Sequence, residues 1–551
     1  MSASNDRFKI KKLLRLAPVW LLLIVVSAPA ARAMQWETLF TAQDVRDHLS
    51  TPAGREQALD FCRRMGITKV YLEVFRGYQA NAETLKTSRD FFRHAGLQVS
   101  GCVTTVHFGK ISSGRPIWVC FTNHKSQERL AQIFQYAASM FNEIMIDDFF
   151  CTDCDCAECA AAKGSMCWRQ YRDKLMVDVS RKDVLGAARA VNPHVKIIIK
   201  FPQWYETFQN KGYVVEKETP LYNRIWVGTE LRDPSSAKWA HVQQYRAFFL
   251  YRWLADTAGP KEGGGWFDPY ATDPTLYMDQ AYVTALTGAK ETLLFHYGEL
   301  YSGKYSAQAE TLTAHRAQVD QLAKLAGGWK GIPAYKPPSI AAGDEPYILD
   351  NIGMLGIPLL PVAHFPAQAR VALFANQALG DPDFVPELDQ FLKAGGTAFL
   401  SQSLAHRLQA DPRLKPDNAI DLGKDALLRE VQEGSGRIIV FSDQLPHLAD
   451  VGDQDQVTQL DPKTRAALRK LRGGAARFVP TSLDAPPRVV IFPMRDTVAV
   501  ANFTELPVTC SLAGLGSPQA RYTKVFGTAE TRVTAGGTAI SLPAHGIMVV
   551  K

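Results

Sequence analysis

The segment EIMIDDFFCTDCDCAEC, residues 143–159, runs from an apolar stretch into two adjacent aspartates and then four cysteines. Its first part, EIMIDDFF, has the short apolar run that is typical of a buried β-strand. The helical patterns SQERLAQIFQYAASMF and CWRQYRDKLMVDVSRKDVLGAARAV stand on either side of it. The segment therefore predicts one strand between two helices, which is the repeating unit of a parallel α/β protein.

Eight such β/α units are predicted between about residues 35 and 325. The predicted strands are WETLF, TKVYLEVFR, LQVSGCVTTVHF, EIMIDDFF, VKIIIKF, RIWVGTEL, GGGWFDPY and KETLLFHYGEL. This number of units in this length predicts a (β/α)8 TIM barrel over residues 34–330. A doubly wound sheet is the main alternative, but no glycine-rich phosphate loop follows the first strand.

The chain of 551 residues is longer than one hydrophobic core usually serves, so further domains are expected. GIPAYKPPSI marks a boundary near residues 331–340, and a smaller α/β unit is predicted over residues 335–450. The strand patterns RVVIFPM, TVAVANF and GIMVVK predict a small β-domain over residues 480–551. The net charge of +7 is dispersed along the chain, so no nucleic-acid partner is expected.

Residues 1–33 have the pattern of a secretory signal peptide. Basic residues up to Arg15 precede the apolar run VWLLLIVVSAPA, and ARA ends at Ala33 as a small-x-small cleavage site. We expect a periplasmic or secreted protein that begins near Met34, with an uncleaved N-terminal anchor as the alternative. The apolar run is too short for a comfortable membrane span, so no stable span is expected after cleavage.

The cysteines are crowded: five of the nine lie between residues 151 and 167. Cys154-x-Cys156-x-x-Cys159 places three thiolates on one loop, a spacing that favours tetrahedral zinc. Cys120, in the loop after the preceding strand, is the first choice for the fourth ligand. The alternative fourth ligands are Cys151, Cys167 and Cys102. Four thiolates close the coordination sphere and indicate a structural zinc, while disulfides and a catalytic metal remain alternatives.

The chemistry of a TIM barrel lies at the carboxyl ends of its strands. The predicted strand ends carry Glu73, Arg76, His107, Asp147, Asp148, Trp204, Glu230, Asp233, Trp266, Asp268, His296 and Glu299. Paired carboxylates act on glycosidic bonds, and tryptophan faces stack on sugar rings. The set therefore indicates a carbohydrate site, although any single member could instead be a rim salt bridge or a helix cap.

Asp147 and Asp148 cannot both point into the barrel mouth equally, because adjacent residues of a strand face opposite sides. Two neighbouring carboxylates also discourage joint ionisation. One of them can therefore be a general acid with a raised pKa, while the other accepts hydrogen bonds.

The motifs RPIWVC, MIDDFFC, CDCAEC and WRQYRDKL together resemble the corresponding stretch of glycoside hydrolase family 42 β-galactosidases. The resemblance is specific over about residues 115–175 and marks a distant relative. It implies a catalytic barrel, then a flavodoxin-like domain that mediates oligomerisation, then a small β-domain. It also implies a carbohydrate substrate and a homo-oligomer.

Carried over by position, the family's acid/base glutamate falls on Asp148, and the asparagine before it falls on Asp147. The family's nucleophile falls near GGGWFDPY, best on Asp268. Its structural zinc ligands fall on Cys120, Cys154, Cys156 and Cys159. Both catalytic positions are one methylene shorter than glutamate, which favours inversion on an unchanged barrel. Glu230 and Glu299 are alternative nucleophiles.

These observations predict an exported glycoside hydrolase of unidentified glycan, with a structural zinc beside its active site. Asp148 is the predicted acid, supported by Asp147, and Asp268 is the predicted nucleophile or base. The predicted substrate-binding residues are Arg76, His107, Trp204, Glu230, Trp266, His296 and Glu299. A non-catalytic carbohydrate-binding or envelope protein and a metal-dependent hydrolase are the alternatives.

Overall fold

In the computed structural model, eight parallel strands close into a barrel in the order of the sequence. They are β1 (Gln35–Phe40), β2 (Lys69–Arg76), β3 (Gln98–Thr104), β4 (Glu143–Ile146), β5 (Lys196–Phe201), β6 (Arg224–Gly228), β7 (Glu262–Phe267) and β8 (Glu291–Leu294). β1 and β8 form the closing pair, with Thr38 in register with Leu294. The predicted TIM barrel is confirmed.

The structure describes residues 34–236, 242–341, 343–409, 427–449, 460–479, 481–514, 521–527, 529–534 and 537–551. The predicted signal peptide, residues 1–33, lies outside these ranges, as do parts of the predicted α/β and β units. Within the described ranges, every helix is too short or too polar to span a bilayer.

Helices connect the barrel strands and surround them. They are Ala42–His48, Pro52–Met65, Ala82–His94, His124–Ala138, Ala157–Lys163, Trp168–Val179, Ala187–Val191, Val215–Leu221, Tyr245–Ala258, Pro274–Thr287, Tyr297–Tyr301 and Ser306–Leu325. Their ends follow local sequence signals: Asp273 accepts from the Leu276 amide at the start of one helix, and Gly288, with φ of 82°, ends it. The helix predicted over residues 167–191 is divided by a π-helical turn, Ser180–Gly186.

The inward face of the barrel determines which side chains reach its mouth. The interior core consists of Leu39, Tyr71, Cys102, Met145, Ile198, Trp226, Trp266 and Leu293. Side chains two residues further along a strand share the same face. Glu73, Thr104, Asp147 and Lys200 therefore stand directly above this core, at the carboxyl ends of four neighbouring strands.

Five predicted strands extend beyond the observed ends, those of β3, β4, β6, β7 and β8, and in β3 and β8 the difference displaces a predicted site residue. β3 ends at Thr104, and the chain then turns through His107, whose φ is 53°. β8 ends at Leu294, and YGELY forms the helix Tyr297–Tyr301 instead of continuing the strand. Both corrections move a predicted site residue, His107 or Glu299, off the strand end.

A second sheet follows the barrel. Its strands are β9 (Ile332–Tyr335), β10 (Leu359–Val362), β11 (Val371–Phe374), β12 (Thr397–Ser401), β13 (Leu428–Glu433) and β14 (Gly436–Phe441), in the order β10-β9-β11-β12-β14-β13. All pairs are parallel except the antiparallel pair β13–β14. Its helices are Ile348–Met354, Phe384–Lys393, Gln402–Gln409 and Gln444–His447. β9 lies within GIPAYKPPSI, so the predicted boundary segment is itself the first strand of this sheet.

The helix Pro462–Ala476 leads to two antiparallel sheets of four strands each. The strands are β15 (Thr481–Asp484), β16 (Val489–Pro493), β17 (Val498–Asn502), β18 (Val508–Gly514), β19 (Lys524–Phe526), β20 (Glu530–Thr534), β21 (Gly537–Leu542) and β22 (Ile547–Val550). The predicted strands RVVIFPM, TVAVANF and GIMVVK contain β16, β17 and β22. His545 anchors this region to the barrel through a 2.7 Å contact from Nδ1 to Asp279.

Candidate active site

A cavity of about 760 Å³ opens at the carboxyl ends of the barrel strands. We call it the mouth cavity. Its lining combines acids, basic residues and aromatic rings: Thr41, Gln43, Asp44, Arg76, Arg115, Trp118, Asp147, Asp148, Phe149, Gln203, Trp204, Thr207, Lys211, Glu230, Arg232, Arg246, Trp266, Asp268, Tyr270, Phe295, His296 and Tyr347. This position is where TIM barrels carry their active sites.

Asp147 is buried and ionised. The Lys200 ammonium donates to its Oδ1 at 2.6 Å, and the Arg76 guanidinium and the Thr104 hydroxyl donate to its Oδ2. Burial alone would favour the neutral acid, but Lys200 and Arg76 hold the pKa of Asp147 well below its usual range. Asp147 is therefore a fixed negative charge beneath the mouth cavity.

Asp148 has the opposite environment. Its side chain faces the mouth cavity, and the Tyr213 hydroxyl fixes its backbone by donating to its carbonyl at 2.5 Å. Enclosure among protein atoms, and then the charge of Asp147, raise the pKa of Asp148 well above its usual range. The pKa values of the two neighbouring aspartates are thus shifted in opposite directions.

A second pair of carboxyl groups faces them from β6 and β7. Asp268 follows β7; its Oδ2 accepts from Arg232 at 2.8 Å and its Oδ1 accepts from the Tyr270 amide at 2.9 Å. Glu230, just beyond β6, accepts from the Trp266 indole at 2.9 Å. Burial, and then the nearby Asp268 carboxylate, raise the pKa of Glu230 to about 8.

The rim of the cavity is held by further ion pairs. His296 Nδ1 lies 2.7 Å from Asp44 Oδ2, joining the end of β8 to the helix Ala42–His48 that follows β1. Glu73 is fully buried and receives the Arg76 guanidinium at 2.8 Å and the Ala42 amide at 2.9 Å. These contacts fix Arg76 between Glu73 and Asp147.

The structure brings most of the predicted site residues together. The mouth cavity is lined by Arg76, Asp147, Asp148, Trp204, Glu230, Trp266, Asp268 and His296. His107 is exposed in the turn after β3, and Glu299 lies in the helix after β8; of the described residues, neither belongs to the lining. Their predicted roles in substrate binding lack this geometric support.

Several residues of the site were missed from the sequence. Lys200, which pairs with Asp147 beneath the cavity, could have been found, because a lysine inside the apolar strand VKIIIKF is rare unless a buried acid pairs with it. Arg115, Trp118, Lys211, Arg232 and Tyr347 come from loops or from beyond the barrel. Strand periodicity gives no signal for residues of that kind.

The four cysteines predicted to bind metal form one cluster. The Sγ atoms of Cys120, Cys154, Cys156 and Cys159 all lie within 4.8 Å of one another. Cys120 is 3.5 Å from Cys159 and 3.9 Å from Cys156, and Cys156 is 3.7 Å from Cys159. Thiolates about 2.3 Å from a tetrahedral zinc lie about 3.8 Å apart, so the separations fit such an ion. A disulfide would need about 2.0 Å.

Polar groups around the cluster point at its sulfur atoms. Lys110 Nζ lies 3.2 Å from Cys156 Sγ, and the Thr122 hydroxyl lies 2.9 Å from Cys159 Sγ. A cation and a hydroxyl stabilise thiolates, as outer groups do in metal sites. The alternative fourth ligands Cys102, Cys151 and Cys167 are outside this cluster.

Comparisons with known proteins identify the family of the barrel and agree with the fold. The sequence model of the family described as "Probable glycosyl hydrolase, catalytic domain" matches residues 26–326, which include the whole barrel. An uncharacterized protein of Saccharolobus solfataricus is 22% identical over 433 residues, covering 72% of this chain and 68% of its own length.

Solved structures share the architecture beyond the barrel. A GH42 β-galactosidase from G. stearothermophilus is 12% identical, with a TM-score of 0.61, over 94% of this chain and 98% of its own. An α-L-fucosidase isoenzyme from Paenibacillus thiaminolyticus is 11% identical, with a TM-score of 0.62, over 94% of this chain and 99% of its own. At such identities the likeness shows the fold, and it confirms the predicted distant resemblance to family 42.

Proposed function

This chain belongs to the family of probable glycosyl hydrolase catalytic domains, and from that premise we propose that it cleaves glycosidic bonds in an oligosaccharide or polysaccharide. The observation that carries the proposal is a pair of carboxyl groups, Asp148 after β4 and Asp268 after β7, that line one cavity at the mouth of the barrel. Burial and the charge of Asp147 raise the pKa of Asp148, which suits a general acid, while Asp268 is paired with a buried guanidinium. Glycosidases use two such carboxyl groups, one as the acid and the other as the nucleophile or base.

Asp148 is proposed as the general acid. Cleavage of a glycosidic bond leaves an alkoxide unless a proton reaches the bridging oxygen as the bond breaks. Asp148 faces the cavity, and burial followed by the charge of Asp147 raises its pKa; Lys200 and Arg76 hold the Asp147 charge in place. Asp147 is then a positioning residue that sets the proton affinity of its neighbour.

Asp268 is proposed as the nucleophile or base on the opposite side of the bond. Arg232 and the Tyr270 amide donate to its two carboxylate oxygens and fix their orientation. Glu230 lies beside Asp268 and is mostly protonated at neutral pH, since its pKa is about 8. A protonated Glu230 can donate a hydrogen bond to Asp268, which suits a supporting role better than attack.

The four-cysteine cluster is proposed to hold a structural zinc. Its four sulfur ligands would fill a tetrahedral sphere, and such a closed sphere leaves no position for substrate or water. Zinc would supply a crosslink between the loop after β3, which carries Cys120, and the loop after β4, which carries the other three. This favours a bracing role over metal-dependent hydrolysis.

Export is proposed from the pattern of residues 1–33. The expected product is a periplasmic or secreted protein whose first residue is Met34. Mass spectrometry of the protein purified from its native host would test this. A full-length chain in the cytoplasm would contradict it.

Turnover of a glycan panel by the purified chain, read by mass spectrometry, tests the proposed hydrolysis. Asp148→Asn and Asp268→Asn should each lower turnover of any cleaved glycan by about 10²–10⁴-fold, because each removes one carboxyl group of the pair. Asp60→Asn, at an exposed helix position, is the matched control and should cleave at the wild-type rate. Wild-type rates in both site variants would show that other residues perform the chemistry.

A further inference from the structure

Five lysine and arginine side chains line the mouth cavity, and they divide into two groups. Three are held by carboxylates of the protein itself: Arg76 by Asp147, Arg232 by Asp268 at 2.8 Å, and Arg246 by Asp350 at 2.9 Å. Arg115 and Lys211 differ. Within the described part of the chain, no carboxylate lies within ion-pair distance of either side chain.

Arg115 and Lys211 share an aromatic platform. Trp118 and Trp204 are stacked with ring centroids 6.2 Å apart and planes inclined by 29°. The Lys211 Nζ lies 4.8 Å from the centroid of Trp204, and the Arg115 guanidinium lies 5.0 Å from that of Trp118. Both cations therefore stand over neighbouring rings on one wall of the cavity.

The nearest acid to Arg115 is already used. Asp153 accepts from the Arg115 backbone amide at 3.0 Å and from the Ser112 hydroxyl at 2.5 Å, so it fixes the loop and not the guanidinium. Lys211 donates to the Thr207 hydroxyl, a neutral group. Asp153 therefore fixes the backbone of the loop, and the positive charge of the Arg115 side chain is not paired with it.

The two positive charges also disfavour one another. Burial lowers the pKa of Lys211 to about 8, and the charge of Arg115 acts in the same direction, against opposing effects of Cys151 and Asp153. A bound anion would offset this repulsion and favour the protonated form of Lys211.

We propose that Arg115 and Lys211 bind an anionic substituent of the glycan, either a uronate carboxylate or a sulfate ester, while Trp118 and Trp204 form the aromatic wall beside it. This inference rests on the proposed hydrolysis and specifies its substrate class. A guanidinium and an ammonium on one wall match the oxygen atoms of a carboxylate or sulfate. Aromatic rings offer the apolar surface that a sugar ring covers.

Binding by the full-length Asp148→Asn protein tests the inference, because this variant should bind glycans without cleaving them. The probes are oligosaccharides in matched sets: oligogalacturonate, the same chains as neutral methyl esters, and sulfated and unsulfated galactose oligomers. The expected result is binding to a charged set at least tenfold tighter than to its neutral counterpart. Preferential binding of oligogalacturonate would identify a carboxylate ligand, and preferential binding of the sulfated galactose oligomers would identify a sulfate ligand.

Arg115→Met and Lys211→Met, each added to Asp148→Asn, should abolish most of that preference, whereas Lys211→Arg should keep it. Lys86→Met removes an exposed helix cation that does not line the cavity and serves as the matched control. Thermal melting would establish that each variant is folded.

Preference for neutral glycans, a charge preference that survives both methionine substitutions, or no binding to any charged set would overturn the inference. Cleavage of neutral glycans alone would overturn it while leaving the proposed hydrolysis intact. Charge-selective binding with no cleavage by the wild-type protein would support the anion site and contradict the hydrolysis.

Discussion

Asp147 and Asp148 are neighbours in the chain, yet their pKa values are shifted in opposite directions. Asp147 shares the inward face of β4 with Met145 and meets Lys200 there, whereas Asp148 turns toward the mouth cavity. Burial, and then the charge of Asp147, raise the pKa of Asp148. The proposed role of Asp148 as general acid therefore depends in part on the charge of its neighbour.

Asp147→Asn should move the alkaline limb of the kcat/KM profile to lower pH. The substitution removes the charge that raises the pKa of Asp148, and it leaves Lys200 without its partner, which favours the ionised Asp148 further. Asp148 would then lose its proton at a lower pH than in the wild-type protein. An unchanged limb would show that Asp147 does not set the proton affinity of the acid.

At the scale of single residues, sequence patterns locate the acids but not their partners. Alternation along β4 predicts that only one of the two aspartates points inward. The choice between them depends on Lys200, which lies on the neighbouring strand β5. Arg232, beside Asp268, follows β6 by several residues, where the chain no longer alternates. The contact of Arg232 with Asp268 joins the connections after two different strands, and the periodicity of a single strand does not predict such contacts.

At the scale of elements, the cysteine cluster joins two loops that each carry part of the site. The loop after β3 holds Arg115, Trp118 and Cys120, and the loop after β4 begins at Asp147 and continues to Cys159. The pattern Cys-x-Cys-x-x-Cys predicted three members of the cluster, and barrel adjacency predicted the fourth. The sequence does not predict where β3 and β8 end. It therefore assigns His107 and Glu299 to strand ends, whereas His107 lies in a turn and Glu299 in a helix.

Cys154→Ser should lower the zinc content, the melting temperature and the turnover together. Wild-type protein should contain about one zinc per chain by elemental analysis, because four thiolates complete one tetrahedral sphere. Cys167→Ser is the matched control, since Cys167 is exposed and lies outside the cluster. Loss of turnover on chelation with an unchanged melting temperature would instead favour metal-dependent hydrolysis.

At the scale of the whole molecule, the α/β unit of the second sheet contributes to the mouth cavity. Tyr347 lines the mouth cavity, and Asp350 in the next helix accepts from Tyr205 at 2.8 Å and from Arg246 at 2.9 Å. The order of domains could be predicted from the chain, but this contribution could not. It arises from the docking of two units whose contact surfaces are set by tertiary packing.

The α/β unit over residues 335–450 is proposed to mediate homo-oligomerisation, as the resemblance to family 42 implies. Light scattering should therefore give a mass that is a multiple of the 61.0 kDa chain, less any signal peptide removed. A monomeric mass across the accessible concentration range would contradict this assembly.

The role of Asp148 as general acid is tested most directly by the leaving-group dependence of Asp148→Ala. On the natural glycan, whose leaving oxygen needs a proton, turnover should fall by about 10²–10⁴-fold. On the 2,4-dinitrophenyl glycoside of the same sugar, whose leaving group departs unprotonated, turnover should fall by less than about tenfold, because no general acid is required. Equal losses on both substrates would contradict the assignment of Asp148 as the acid.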